Sequence, residues 1–387
     1  MSMMNFIMNL RWKMIGGLFS FLLLFSWSWS CEAMYYHNMS GEVTIKQVTD
    51  TGIDLIHGGI LVLTLSDGVY LFHGDFDGSV WSDPTLHRRA KLYKRPIEDL
   101  SDNSTYIQFA DDLHHQNIVD VMYSEITGKI YVLFMGNAMI SVVDPETMVA
   151  SDFNVFEDLD DDNQMGKLVL SDTKVYGIYQ LDIISKVISY DIDDGSKLVE
   201  RDLAVPAAHG GIYFNRHLYV TTSQNNGTRS MLYKMNPTTL RVEACRELAG
   251  YAATHECSGM VNPYTNVPYI FVGFEYIDEL PTYINNISMI NGNNLNDETI
   301  FNTNTEVQGP IFGVKSQNGK VWVTRGSSPG TIEMIDPWQQ ISTFFTLTGY
   351  NIANGSPEVI GNTLYIKNFP RLYTGIGTSN LFEITIN

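Results

Sequence analysis

Short apolar runs broken by turn residues set the rhythm of this chain. In the stretch Ile118–Met148, an apolar run Ile118–Tyr123 meets a turn at Ser124–Gly128. A second run, Lys129–Phe134, is followed by a turn at Met135–Asn137. A third, Ala138–Val143, stops at Asp144-Pro145. Runs of this length, rich in β-branched and aromatic residues and bounded by Gly, Asn, Asp and Pro, predict consecutive antiparallel strands. A helical period of 3.6 holds nowhere in the stretch for more than one turn.

The unit recurs. Its central run reappears as Leu61–Leu65, Ile130–Phe134, Val175–Tyr179, Leu218–Thr222, Tyr269–Phe274, Val321–Arg325 and Leu364–Asn368. Within these, positions 131, 176, 219, 270, 322 and 365 are separated by 45, 43, 51, 52 and 43 residues. A period of roughly 40–50 residues with four strands per unit predicts the blades of a propeller. Asp144-Pro145, Asn236-Pro237 and Asp336-Pro337 close the third strand, since proline cannot donate to a ladder and presets φ for a turn. Asp191–Gly195 does this work in the third unit. Leu381–Ile386 ends the last unit one strand short, and Glu42–Val48 is an extended segment without a unit of its own. The expectation is an all-β chain, a single propeller of seven four-stranded blades, closed by an N-terminal strand in the last blade.

One interval is long, with its excess in Ser82–Asn117 and a basic cluster of Arg88, Arg89, Lys91, Lys94 and Arg95. The cluster reads as an edge strand whose long cations discourage aggregation, or alternatively as a docking patch for an acidic partner. Glu157–Asp162 reads as a solvated acidic loop, because it lacks the spaced oxygens of a calcium loop.

Charge narrows the partners. A formal net charge of −19 over 387 residues disfavours nucleic-acid backbones and anionic membranes. At the amino terminus, Arg11 and Lys13 precede the apolar run Ile15–Phe25, and small residues follow up to Ala33. This layout predicts a signal peptide over residues 1–33 and a mature, secreted, monomeric propeller domain over 34–387, with no transmembrane segment. The alternative is a lipid anchor through Cys31. Cleavage after Ala33 leaves Cys245 and Cys257, which an oxidising compartment would join in a disulfide. Five sequons, at Asn38, Asn103, Asn226, Asn286 and Asn354, suit a glycoprotein, although a chain this rich in Asn yields a similar number by chance.

Candidate chemistry gathers where the chain leads into each blade's first strand. Asp111, Asp112, His114 and His115 lead into the second blade, His209-Gly210-Gly211 into the fourth, and His255-Glu256 into the fifth. His57-Gly58-Gly59 falls at the end of the first strand of blade one. Asp112, His114, His115, His209 and His255 are therefore the candidate ligand-binding residues. Asp112, His115, His209 and His255 are candidates for a divalent metal, and His115, His209, His255 and Glu256 for catalysis. The bland alternative is a wet channel mouth, with His-Gly-Gly letting a neighbouring backbone approach closely. His73–Trp81 fails as a sialidase Asp-box, because Phe76 stands where that motif needs its Asp.

With its seven central runs and its strand-ending Asp-Pro and Asn-Pro pairs, residues 42–387 resemble β-propellers of the broad YVTN-repeat and quinoprotein-like class. The Trp-Asp ends of WD40 repeats are missing, Val143-Asp144 and Ile335-Asp336 coming nearest. A signal peptide before one propeller is similar in layout to the insect Yellow and royal-jelly proteins. The resemblance is architectural and implies a binding scaffold. The functional expectation is a secreted, non-catalytic protein that binds a protein, glycan or small ligand at one face. The alternative is a metal-assisted hydrolase or lactonase at the channel mouth.

Overall fold

The computed structural model describes residues 35–38, 43–50, 59–75, 90–110, 115–135, 139–154, 166–180, 184–205, 208–222, 230–248, 257–274, 286–302, 311–325, 330–347, 357–368 and 379–387. Every element in them is a strand, and the strands form seven antiparallel sheets. Blade one is Ile60–Thr64, Val69–Gly74, Lys91–Pro96 and Tyr106–Gln108; blade two is Gln116–Ser124, Lys129–Met135, Ile140–Asp144 and Val149–Asn154. Blade three comprises Gly166–Leu170, Lys174–Gln180, Ser185–Asp191 and Lys197–Leu203, and blade four Ala208–Phe214, His217–Thr222, Met231–Met235 and Val242–Glu247. In blade five the strands are Cys257–Val261, Pro268–Gly273, Asn286–Asn291 and Glu298–Asn302. Blade six has Ile311–Gln317, Lys320–Arg325, Gly330–Asp336 and Ile341–Leu347, with Tyr35–Asn38 as a fifth strand beyond the last.

Blade seven combines the two ends of the chain. Glu358–Ile360, Thr363–Asn368 and Ser379–Ile386 are completed by Val43–Asp50. That strand pairs antiparallel with Ser379–Ile386 from Val43↔Ile386 to Asp50↔Ser379, the closure expected from the sequence. First strands of successive blades touch one another, so they line the axis and fourth strands form the rim.

Two sequence expectations shift. Leu61–Leu65 was placed as the second strand of blade one, but Ile60–Thr64 is its first strand and Val69–Gly74 its second. Gly59 therefore precedes the first strand instead of ending it. The error arose because both runs are short, apolar and β-branched, so composition alone cannot order them. The basic cluster does not form an edge either. Lys91, Lys94 and Arg95 lie on the third strand of blade one, and Lys94 and Arg95 are buried. Arg88 and Arg89 lie outside the described residues.

The third strands end in a repeated device. Asp144 Oδ1 accepts from the amides of Glu146 and Thr147, Asn236 Oδ1 from Thr238 and Thr239, and Asp336 Oδ1 from Trp338 and Gln339. Such a short side chain satisfies the turn's own backbone donors, which explains the recurrence of Asx-Pro in the sequence. Lys129, at the start of the second strand in blade two, donates to Asp144 at 2.5 Å and holds its carboxyl well below the usual carboxylate range. Lys320 and Asp336 repeat the pair in blade six at 2.6 Å.

The fourth residue after each Asx sits in the left-handed region: Met148 at φ 55°, Leu240 at 52° and Gln340 at 55°, with Gly195 at 72° in blade three. A side chain there costs about 1 kcal/mol relative to glycine. Gln340→Gly is accordingly expected to raise the unfolding free energy by about 0.5–1 kcal/mol in urea titrations. Gly128→Ala, at φ 66° with nothing within 4 Å of an added Cβ, should lower it by a similar amount through strain alone.

Blades are stitched by the aromatic that recurs in the second strand. Tyr131 Oη donates to Ile192 O at 3.2 Å, Tyr176 Oη to Pro237 O at 3.0 Å, and Tyr219 Oη to Gly292 O at 3.3 Å. Each acceptor lies in the third-to-fourth turn of the following blade. Burial pushes Tyr176 and Tyr219 up to about 12, which keeps their hydroxyls as donors. Between blades one and two, Lys94 Nζ performs the same task on Pro145 O at 3.1 Å, lying over the Tyr70 ring. Blades five and six meet through Trp338, which packs on Tyr269 and Phe271.

The expected disulfide does not form. Cys245 is exposed on the rim strand of blade four, while Cys257 is buried on the axial strand of blade five, and no disulfide joins them. The two thiols belong to different sheets, one on a rim strand and one on an axial strand.

Candidate functional site

The antiparallel order gives the ring two unlike faces. On one, first-to-second and third-to-fourth strands are joined by turns of two to six residues, apart from the nine between Pro96 and Tyr106; Phe214 and His217 are separated by two residues, Gln317 and Lys320 also by two. These turns are internally hydrogen-bonded, as described above. The other face receives the second-to-third connections and the crossings between blades. There eleven residues separate Asn154 from Gly166, twelve separate Gly273 from Asn286, and sixteen separate Gly74 from Lys91. We refer to them as the turn face and the loop face.

Sequence reasoning placed its candidates at the loop face. Asp112, His114, His255 and Glu256 lie outside the described residues, as do His57, Asn226 and Asn354. His209 lies in the first strand of blade four, Ala208–Phe214. His115 is buried between blades one and two. Its ring stacks on Phe109 with centroids 6.0 Å apart and meets Phe134 edge-on at 5.1 Å, and its Nε2 lies 3.3 Å from Asp152 Oδ1 on the rim strand of blade two. Its described surroundings are thus the packing between two blades. Among the described residues, no three His, Cys, Asp or Glu side chains are grouped to hold a metal ion. Of the sequons, Asn103 is exposed in the turn after the third strand of blade one. Asn38 and Asn286 lie on strands.

Gly59 explains part of the His-Gly-Gly pattern. A Cβ at that position would stand 2.4 Å from Val121 N and 2.9 Å from Asp120 Oδ1, so only glycine lets the chain enter blade one against blade two. Gly211 is confined similarly, 2.3 Å from Ile178 Cδ1.

Asp120 belongs to a buried set of charges beneath the loop face. Its Oδ1 accepts from Val121 N at 3.0 Å, its Oδ2 from Leu168 N at 2.9 Å, and Lys167 Nζ lies 3.3 Å away. One carboxylate thereby ties the axial strands of blades two and three together. Between blades seven and one the set continues with Lys367, His73 and Arg95. Arg95 Nε donates to His73 Nε2 at 2.8 Å, and its Nη1 donates to Leu100 O at 2.6 Å. Burial lowers His73 well below its ordinary value, with the charges of Arg95 and Lys367 adding to the effect, so the imidazole is neutral and accepts. Lys367 is lowered to about 7 by burial, opposed by attraction to Asp120 and Asp75. The apolar part of this seam is Val48, Leu71, Leu100, Tyr365 and Leu381. Blade six holds a separate trio. Arg325 donates from Nε and Nη2 to Glu333 Oε2 at 3.0 and 2.5 Å, and Ser342 donates to Glu333 Oε1; all three are buried.

Asp120 joins blade two to blade three, whereas the bonds of Arg95 and Arg325 hold strands together within blades one and six. The sequence reading missed them. Arg95 was counted with the surface cations, and Lys367 and Arg325 were passed over inside central runs. A charge placed in an otherwise apolar second strand, as in the runs 364–368 and 321–325, was the available signal.

No known family profile matches the chain, and no curated protein matches it. Solved structures do. A chain in the crystal structure of the mitotic checkpoint complex is similar over 88% of this chain and 91% of its own length, with a TM-score of 0.59 and 10% identity. The WD40 domain of Neurospora crassa Pan2 is similar over 85% and 89%, with a TM-score of 0.51 and 9% identity. At such identities the likeness shows the fold: a seven-bladed β-propeller, closed by pairing its two ends. Among the described residues, no helix is long and apolar enough to cross a membrane.

Proposed function

We propose that this protein is a non-catalytic binding scaffold that engages a protein partner at its loop face, and that residues 1–33 direct its export. The observation that carries the reading is the inequality of the two faces. The turn face is spent on short connections closed by their own Asx side chains. The longest connections, of eleven, twelve and sixteen residues, attach at the opposite face, where Asp120 ties the first strands of blades two and three together beside Lys167. A rigid floor under loops of variable length is the arrangement that supports recognition. Burial of His115 against Phe109 and Phe134 favours binding over the hydrolytic alternative.

The test begins with immobilised protein, chemical cross-linking and mass spectrometry of what the culture medium delivers. Replacing residues 223–229 and 275–285 by Gly-Ser stretches of equal length should abolish capture while leaving the melting temperature nearly unchanged. Substituting Ile126 and Tyr264, exposed on the turn face, should leave capture intact. Capture that survives loop replacement but fails in the turn-face variants would reverse the assignment. Export is read separately, by fusing residues 1–33 to a reporter and sequencing the amino terminus of the secreted product.

A further inference from the structure

Every blade of a propeller ends in a rim strand whose far side offers unpaired backbone donors and acceptors, and such an edge recruits other strands unless it is blocked. Most rim strands here carry charges. Blade two has Asp152, blade three Lys197, Glu200, Arg201 and Asp202, and blade four Glu243, Arg246 and Glu247. Blade five has Glu298, and blade seven Lys46 and Asp50. Blade one limits its edge by length, with only Tyr106–Gln108. Blade six departs from this pattern. Its rim strand Ile341–Leu347 reads ISTFFTL, with no ionisable residue, and Ser342, Phe344, Phe345 and Leu347 are buried. Among the described residues it is also the one sheet with a fifth strand, Tyr35–Asn38, of which residues 36–38 belong to the same compact unit as the blades.

We propose that the outer edge of blade six is a strand-accepting interface, covered in cis by Tyr35–Asn38, and that on loss of this cover it pairs with the same edge of a second copy. The second copy is the fitting occupant, because an uncharged, β-branched and aromatic edge complements itself in antiparallel pairing about a two-fold axis. The cover is separate from the closure strand, which begins at Val43. A chain cut after residue 33 keeps the cover, whereas a chain cut beyond residue 38 loses it and still closes its ring. The site of amino-terminal processing thereby sets the oligomeric state. The edge lies on the rim, so the proposal stands independently of partner binding at the loop face.

Two chains test this, one beginning at Met34 and one at Gly41, compared by size-exclusion chromatography with light scattering. The first is expected to remain monomeric and the second to double its mass as concentration rises, with the same far-UV circular dichroism. Thr343→Lys in the shorter chain should restore the monomer by placing a charge on the open edge. A shorter chain that stays monomeric, or one whose association survives Thr343→Lys, overturns the proposal. Should truncation prevent folding, the chain from Met34 carrying Tyr36→Pro and His37→Pro removes two backbone donors without shortening it. That variant must associate as the shorter chain was expected to, and a monomer there is equally fatal.

Discussion

Arg325→Met is expected to destabilise the protein by about 3–5 kcal/mol, because it leaves a buried carboxylate without its cation. Glu333 is 1% exposed and Arg325 fully buried, so water does not take the place of the lost partner. Only the hydroxyl of Ser342 would continue to donate to Glu333 from the same set. Glu333→Gln in the same background should recover a large part of the loss, since a neutral amide tolerates burial far better than an orphaned charge. Urea unfolding of the wild type, both single variants and the double variant gives the coupling directly. A single variant that unfolds within about 1 kcal/mol of wild type would show that the pair is solvated and the reading wrong.

Lys367→Met should act in the opposite direction and should depend on pH. Burial holds the Lys367 amine at about 7 in the fold, against 10.5 for a free lysine, and its attraction to Asp120 and Asp75 offsets only part of this. Below pH 7 the amine carries its proton in both states, and the whole cost of burying a cation is present. Between about 7 and 10.5 the unfolded chain holds a proton that the folded chain has released, so stability rises with pH across that window. His73 adds a second slope with the same sign. It is neutral in the fold and takes up a proton on unfolding below about 6.5, so stability falls as the solution becomes more acid. Replacing Lys367 by methionine, similar in length and apolar, should therefore stabilise by about 1–4 kcal/mol at pH 7. The gain should shrink towards pH 10, where the native amine is already neutral. Asp120 retains Lys167 and two backbone amides in the variant, so no new orphan is created at that carboxylate. A variant less stable at pH 7, with a pH profile parallel to wild type, would mean that Lys367 is a net stabilising ion pair.

The architecture was legible because its signals are local. The Asx-Pro pairs end strands through hydrogen bonds to amides two and three residues away, as at Asp144, Asn236 and Asp336. The recurring aromatic marks the second strand because each ring must reach the next blade's turn, as Tyr131, Tyr176 and Tyr219 do. Blade one was misread although Val69–Gly74 carries an aromatic at Tyr70, because sixteen residues, Asp83-Pro84 among them, part that strand from Lys91–Pro96 and break the even spacing. The cysteine pairing failed for a different reason. Eleven residues of sequence separate Cys245 from Cys257, but in that interval the chain passes from the rim of one blade to the axis of the next.

Seven units, the strand order of six of them and the sealing of the ring by a strand near the amino terminus were determined by the sequence alone. Alternation and turn chemistry act over a few residues, and repetition supplies the rest. Which charges lie buried was decided only by the tertiary structure. Lys94 reaches Pro145 in the next blade, while Arg95 and Arg325 meet His73 and Glu333 on neighbouring strands of their own blades, and these pairings exist only once the sheets have formed and packed. Burial is a property of neighbouring blades, and it is burial that turns an ordinary amine or guanidinium into a group on which the stability of the ring depends.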